Sequence, residues 1–224
     1  MGAATALSFA VGSLLGIVAG ARPGSFRDRL LSVASLVLYA IPPGFWLALV
    51  LVILFSIRLR WLPSSGIETI ASGKQGLARA GDIAVHLVLP VVSLAVIYLA
   101  LYLRVMRAAM ADIWRMDFVR ALRARGISHS RIVLRHVVRN ALLPLVTVLG
   151  LQAASMLGGS VVIESVFAVP GLGRLAQEAV ASRDTPLLLG VILVSAIMVI
   201  VVNFLIDLVY LWLDPRIARG DGRA

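Results

Sequence analysis

Residues 104–139 read RVMRAAMADIWRMDFVRALRARGISHSRIVLRHVVR, and they stand between two apolar runs, 85–103 and 141–163. This stretch carries Arg104, Arg107, Arg115, Arg120, Arg123, Arg125, Arg131, Arg135 and Arg139 against only Asp112 and Asp117. Each flanking run is long enough to cross a bilayer core about 30 Å thick, which takes roughly 20 helical residues. A strongly cationic segment between two such runs is retained on the cytoplasmic side of the membrane. Working outward, three further stretches qualify as spans: 4–21, 30–57 and 187–213. The fold class that follows is all-α, a polytopic membrane helix bundle of about five spans.

Composition points the same way. Of 224 residues, 60% are hydrophobic and 14% charged, and the mean hydropathy is +0.99. A water-soluble domain of this length needs far more polar surface, whereas a bundle facing acyl chains does not. The formal charge of +10 would suggest nucleic acid in a soluble protein. Here the arginines cluster between apolar runs, so topology explains them first, and no aromatic platform accompanies the charge. Cysteine is absent, which excludes disulfides and thiolate metal sites.

Alternation from the cytoplasmic stretch 104–139 places 22–29 inside, 58–84 and 164–186 outside, and the tail from Asp214 inside. Arg22, Arg27 and Arg29 outnumber Asp28 on the first of these, and Glu164, Glu178 and Asp184 outnumber Arg174 and Arg183 on an outer one. Residues 58–84 are mildly basic although assigned outside. The N-terminus then lies outside with no charged segment to account for its export, so an additional N-terminal helix, absent from this sequence, is expected. Pro42, Pro43 and Gly44 interrupt the second span and predict a kink supported by neighbouring helices.

The cationic stretch is longer than two neighbouring helices need and has its own periodicity. From Met106, apolar residues fall at Ala109, Ile113, Met116, Val119 and Leu122, spacings that line one face of a helix with arginines opposite. Gly126 ends that helix, Ser128 stands at an N-cap position, and Ile132, Leu134, Val137 and Val138 continue toward the next span. The product is an amphipathic helix-turn-helix at the membrane surface. It could rest on anionic headgroups, or it could serve as a knob for a groove on a partner protein.

Elsewhere the polar residues at membrane depth are few. Asp207 lies four residues from Asn203 on one face of the last span, where a helix-helix contact is the simpler reading and a relay the sharper one. His86 reads as interfacial. Gln152 and Ser155 are polar within the fourth span, where Gly150, Gly158 and Gly159 permit close packing; Gln152 is a candidate for a solute pathway. Phe167, Pro170 and Gly171 open a turn before a short helix, either a partly re-entrant gate or an ordinary surface loop. No nucleophile constellation or metal-ligand cluster is evident, and Gly171 and Gly173 lack the residues of a P-loop.

The run Asp117-Phe-Val-Arg-Ala-Leu-Arg-Ala-Arg-Gly126-Ile-Ser128, followed by Arg135-His136 and Arg139-Asn140-Ala-Leu-Leu-Pro144, resembles the cytoplasmic loop of permease subunits of binding-protein-dependent ABC importers, specifically the dipeptide, oligopeptide and nickel branch. Ile41-Pro42, Phe45-Trp46-Leu47, Trp61-Leu62-Pro63, Glu164-Ser-Val-Phe167, Pro170-Gly-Leu-Gly-Arg-Leu175, Arg183-Asp184, Asn203, Asp207 and Leu213-Asp214-Pro215-Arg216 are similar to that branch in the same order. Two positions depart from the general family motif: Arg120-Ala121-Leu122 stands where Glu-Ala-Ala is usual, and Leu143-Pro144 comes late.

The resemblance implies that 104–139 is a coupling loop docking into a cytoplasmic ATPase, with Asp117, Phe118, Arg120, Ala121, Arg123, Ala124, Gly126 and Ser128 as its contact residues. It implies a single transmembrane domain over 1–224 in a bacterial inner membrane, without cofactor or ATP hydrolysis of its own. The implied partners are a second, homologous permease, two ABC ATPase subunits, an external solute-binding protein and the lipid bilayer. Transport would proceed by alternating access, with peptides as the leading cargo and nickel chelates or other small solutes open. A secondary transporter or channel is the competing class, marked by coupling carboxylates at membrane depth.

Overall fold

Small residues recur at every fourth position of the first apolar run, Ala4, Ser8, Gly12, Gly16 and Gly20, and on helix α1 (Gly2–Gly20) they form one buried stripe. The computed structural model describes residues 1–40, 45–69 and 73–213, with only the backbone described at 153–160 and 211–213. After α1 the chain forms α2 (Phe26–Ala40), α3 (Phe45–Leu51) continuing as a π-helical stretch Val52–Arg58, and α4 (Leu77–Ile113). Then come α5 (Asp117–Ala124), α6 (His129–Ile132), a second π-helical stretch Val133–Val137, α7 (Val138–Val166), α8 (Leu172–Ser182) and α9 (Thr185–Leu213). The described residues contain no strand, so the all-α fold class holds.

The stripe on α1 decides its packing. A Cβ on Gly12 would stand 2.8 Å from the Leu99 carbonyl oxygen, one on Gly16 2.6 Å from Met106 Cβ, and one on Gly20 2.8 Å from Met110 Cβ. No side chain fits at those distances, so α1 and α4 approach as closely as backbones can, with Tyr102, Met106 and Met110 fully buried along the seam. Helices in lipid gain nothing from hydrophobic exclusion against one another, so this close van der Waals contact is what holds them. The α1–α4 pair is the most extensive helix contact among the described residues. Glycines were expected to matter in the fourth span. A Cβ on Gly150 of α7 would stand 3.6 Å from Ile206 of α9, while Ser155, Gly158 and Gly159 lie where only the backbone is described.

Among the described residues, four helices are long and apolar enough to cross a membrane, and a fifth span is counted if α2 and the helix 45–58, inclined at 106°, form one broken span. The kink expected at Pro42, Pro43 and Gly44 falls outside the described residues. Two apolar cores occupy opposite ends of the bundle. One joins Tyr102, Met106, Met110 and Ile113 to Val119, Ile132, Val133, Val137, Ala141 and Leu145. The other joins Ala4, Ala48, Leu89, Leu94, Ile163 and Phe167.

The connection between the third and fourth spans differs from expectation. Helix α4 continues to Ile113 and the helix resumes at His129, so the break within 104–139 is confined to 114–128. A single helix through Met106 to Leu122 fails at 114–116, where Arg115 and Met116 donate to the carbonyls of Asp112 and Ile113 and close a tight turn. At 37 residues, α4 is already about 55 Å long at 1.5 Å per residue, far more than a bilayer core. Turning lets Val119 reach the core fully buried, and it leaves Met116 48% exposed instead of on the shared face.

Candidate functional site

The elbow 114–128 is built on α5, an eight-residue helix with one apolar face. Val119 is completely buried, and the partly buried Leu122 packs against the same apolar core. Asp117, Arg120, Ala121, Arg123 and Ala124 are exposed, and Phe118 is 38% exposed. Asp117 sits in the first turn and Arg123 in the last, each favourable toward the helix dipole. Arg120 reaches Asp117 at 3.4 Å across the open surface, a contact of little energetic weight.

Gly126 ends α5 for a backbone reason. Its φ is +72°, its N–H donates to Arg123 (2.9 Å), and the Ile127 N–H donates to Leu122 (3.2 Å). This is a Schellman closure, completed by Ile127 packing on the same core as Leu122. A Cβ at Gly126 would meet nothing within 4 Å, so only the left-handed conformation calls for glycine. Ser128 occupies the expected N-cap position before α6, although its side chain makes no capping hydrogen bond.

The elbow is tied to α1 by residues that the sequence did not single out. Trp114 and His129 stack in parallel, centroids 5.1 Å apart, and the Arg123 guanidinium lies 4.8 Å from the Trp114 ring centre. The indole N–H of Trp114 donates to the Gly20 carbonyl at 2.8 Å, and His129 Nε2 lies 3.0 Å from the Ala21 carbonyl. A carbonyl only accepts, so that nitrogen carries the proton. Helix ends leave carbonyls without intrahelical partners; here both residues that flank the elbow supply them. Arg123 thus belongs to the stack as well as to the exposed face.

Two other arginines of the cationic stretch work inside the protein. Arg107 makes a bidentate pair with Asp28, which is 2% exposed and also accepts from the Gly24 N–H at 2.8 Å. Arg104 lies 4.0 Å above the Tyr39 ring. Both contacts join α2 to α4.

At the other end of α7, Phe167 is 1% exposed within the second core, and its carbonyl accepts from the Gly66 N–H at 2.8 Å. The nearly buried Glu164 carboxylate accepts from the Arg174 N–H at 2.9 Å, placing a negative charge at the start of α8. A Cβ on Gly171 would stand 2.2 Å from the Glu164 carboxyl carbon, so glycine there makes room for that cap. Pro170 is exposed, and Gln152 is half-buried on α7. Gln152 does not join the turn: the rest of α7 separates them by about 20 Å. Asn203 and Asp207 are exposed on α9. His86, read as interfacial, is 9% exposed, its Nδ1 2.8 Å from the Asp82 carbonyl oxygen.

The family model described as "Binding-protein-dependent transport system inner membrane component" matches residues 12–219. The chain belongs to that family. Among its relatives is the Di/tripeptide transport system permease protein DppB of Pseudomonas aeruginosa, 39% identical over 222 residues, covering 92% of this chain and 65% of the relative. Another is the Oligopeptide transport system permease protein AppB of Bacillus subtilis, 36% identical over 213 residues, covering 95% and 66%. The chain therefore spans just under two thirds of the length of these relatives.

Within this inner membrane component, the motif residues and the anchoring residues have different legibility. Gly12, Gly16 and Gly20 were readable as small residues at four-residue spacing, a signal present but unused. Trp114 with His129, and Asp28 with Arg107, left no such trace, since nothing in their spacing brings them together.

Proposed function

We propose that this chain is the transmembrane permease subunit of an ABC importer for peptides or similar small solutes, one membrane domain in which the elbow 114–128 is the coupling element. The observation that carries this reading is the division of α5: Val119 is sunk into the bundle with Leu122 partly buried on the same core, and Asp117, Phe118, Arg120, Ala121 and Ala124 face outward. A helix held rigidly from behind and open in front suits a groove on another protein. The partners are a second permease, two ATPase subunits beneath the membrane and an external solute-binding protein. The elbow and the C-terminus lie in the cytoplasm, where the arginine excess retains them.

In this scheme ATP binding closes the ATPases on their own side, and α5 transmits the movement. The stack of Trp114 and His129 delivers it to α1, whose glycine seam with α4 carries it into the spans. Rigid-body motion of packed helices then exchanges inward for outward access. Gln152 is assigned to the solute pathway, and the turn formed by Phe167, Pro170 and Gly171 to the external face that meets the binding protein.

The test is site-directed crosslinking from Ala124→Cys and Ser128→Cys in the assembled transporter, since the chain has no cysteine of its own. Crosslinks to the ATPase are expected from both positions. An active complex that yields none from either would end the coupling reading.

A further inference from the structure

A cavity of about 680 Å³ opens beside the elbow, lined by Ile17, Val18, Arg22, Phe26, Arg27, Ser130 and Leu134 among others. Its lining is divided by chemistry. Ile17 and Val18 of the last turn of α1, with Val133 and Leu134, make an apolar wall, while Arg22, Arg27, Ser25 and Ser130 supply cations and hydroxyls. Phe26 is 79% and Leu134 68% exposed at its rim. The arginines carry uncompensated charge: Asp28 is the one carboxylate of the segment 22–29, and it is buried against Arg107. Neither Arg22 nor Arg27 has an ion pair among the described residues.

We infer that this cavity is a site for an anionic phospholipid, whose phosphate lies between Arg22 and Arg27 and whose acyl chain follows Ile17, Val18 and the exposed Leu14 along α1. The charge selects the occupant. A basic pocket at the polar end of membrane helices, floored by apolar side chains, complements a negatively charged headgroup on an acyl chain better than it complements an apolar protein surface. The site lies within reach of His129, which both lines the cavity and caps α1, so an occupant would brace the joint between elbow and first span. Placement in the inner leaflet rests on the orientation proposed above; the binding itself does not.

Native mass spectrometry of the full chain in detergent, with phosphatidylglycerol and phosphatidylcholine as probes, tests this. Phosphatidylglycerol is expected to be retained at least about tenfold more strongly, and the double variant Arg22→Gln/Arg27→Gln to lose ~25-fold, about fivefold for each cation near the headgroup. Arg22→Lys/Arg27→Lys should keep most of the binding, and Arg58→Gln/Arg60→Gln, at the opposite face, all of it. Equal retention of the two lipids, or an unchanged Arg22→Gln/Arg27→Gln variant, overturns the site. Competition by glycerol phosphate as effective as by the lipid would make it a site for a soluble phosphate compound and overturn the lipid assignment. A photo-crosslinker at position 26 that captures polypeptide instead of lipid in the assembled transporter would do the same. The lipid-binding and competition readouts use the full chain in detergent and involve neither ATPase nor cargo, so a failure there is distinguishable from a failure of the coupling proposal.

Discussion

At the scale of single residues, glycine is required at some positions of this protein and dispensable at others, and substitutions tell them apart. Gly16→Ala pushes a methyl into Met106 Cβ and the Leu103 carbonyl at 2.6 and 2.9 Å; overpacking of this kind costs about 1–3 kcal/mol and should lower the thermal denaturation midpoint. Gly81→Ala, where a Cβ meets nothing within 4 Å on the helical backbone of α4, should raise stability by roughly 0.5–1 kcal/mol. Equal responses at the two positions would show that the α1–α4 seam is looser than described. Burial gives Asp28 a similar weight. Asp28→Asn leaves the Arg107 guanidinium facing a neutral amide, and breaking one side of a buried pair costs about 3–5 kcal/mol; because Arg107 is 40% exposed, the lower end is expected. The exchange Asp28→Arg/Arg107→Asp should recover part of the midpoint that either single change loses.

At the scale of elements, the elbow is informative because its joints can be cut individually. Trp114→Phe keeps the ring stacked on His129 and removes the N–H that the Gly20 carbonyl accepts. An unmet buried carbonyl costs about 1–3 kcal/mol, so the variant should insert and assemble while transport per ATP hydrolysed falls severalfold. Unchanged coupling in a stable Trp114→Phe protein would show that the link to α1 carries no motion. Gly126→Val acts differently: φ of +72° is strained for a β-branched side chain by about 1–3 kcal/mol, which redirects α5 as a whole. Loss of the Ala124→Cys crosslink in the Gly126→Val background is the expected reading.

At the scale of the whole molecule, the proposed assembly turns the arginine-rich face toward the ATPase, and the cysteine-free sequence makes that orientation directly measurable. A membrane-impermeant maleimide should label Ser128→Cys only in inside-out vesicles and Leu77→Cys, at a 92% exposed position, only in right-side-out ones. Of the four single-helix spans among the described residues, α9 is the least covered, with 11% of its apolar window buried against 39% for α4. It carries Asn203 and Asp207 on that open side, and a carboxylate at membrane depth is costly unless another protein or water covers it. The second permease subunit is the covering partner in the proposed assembly, so Asp207→Leu should reduce recovery of that subunit on co-purification while leaving the fold of this chain intact.

What the sequence by itself determined was the membrane class, the positions of the apolar runs, the Gly126 turn and the side of α5 that carries Val119 and Leu122. Hydropathy, helical periodicity and a positive φ are local properties, set by residues within a few positions of one another. What only the tertiary structure decided was how far α4 runs, where the elbow breaks, and which groups meet across it. Met116 could not be told from Val119 by spacing, because the turn at 114–116 exists to let α5 fold back onto a core assembled from other helices. Trp114 with His129, Asp28 with Arg107 and Glu164 with the start of α8 are joined by packing, since polar groups shielded from water must find partners wherever the helices place them, and no rule of spacing along the chain records where that will be.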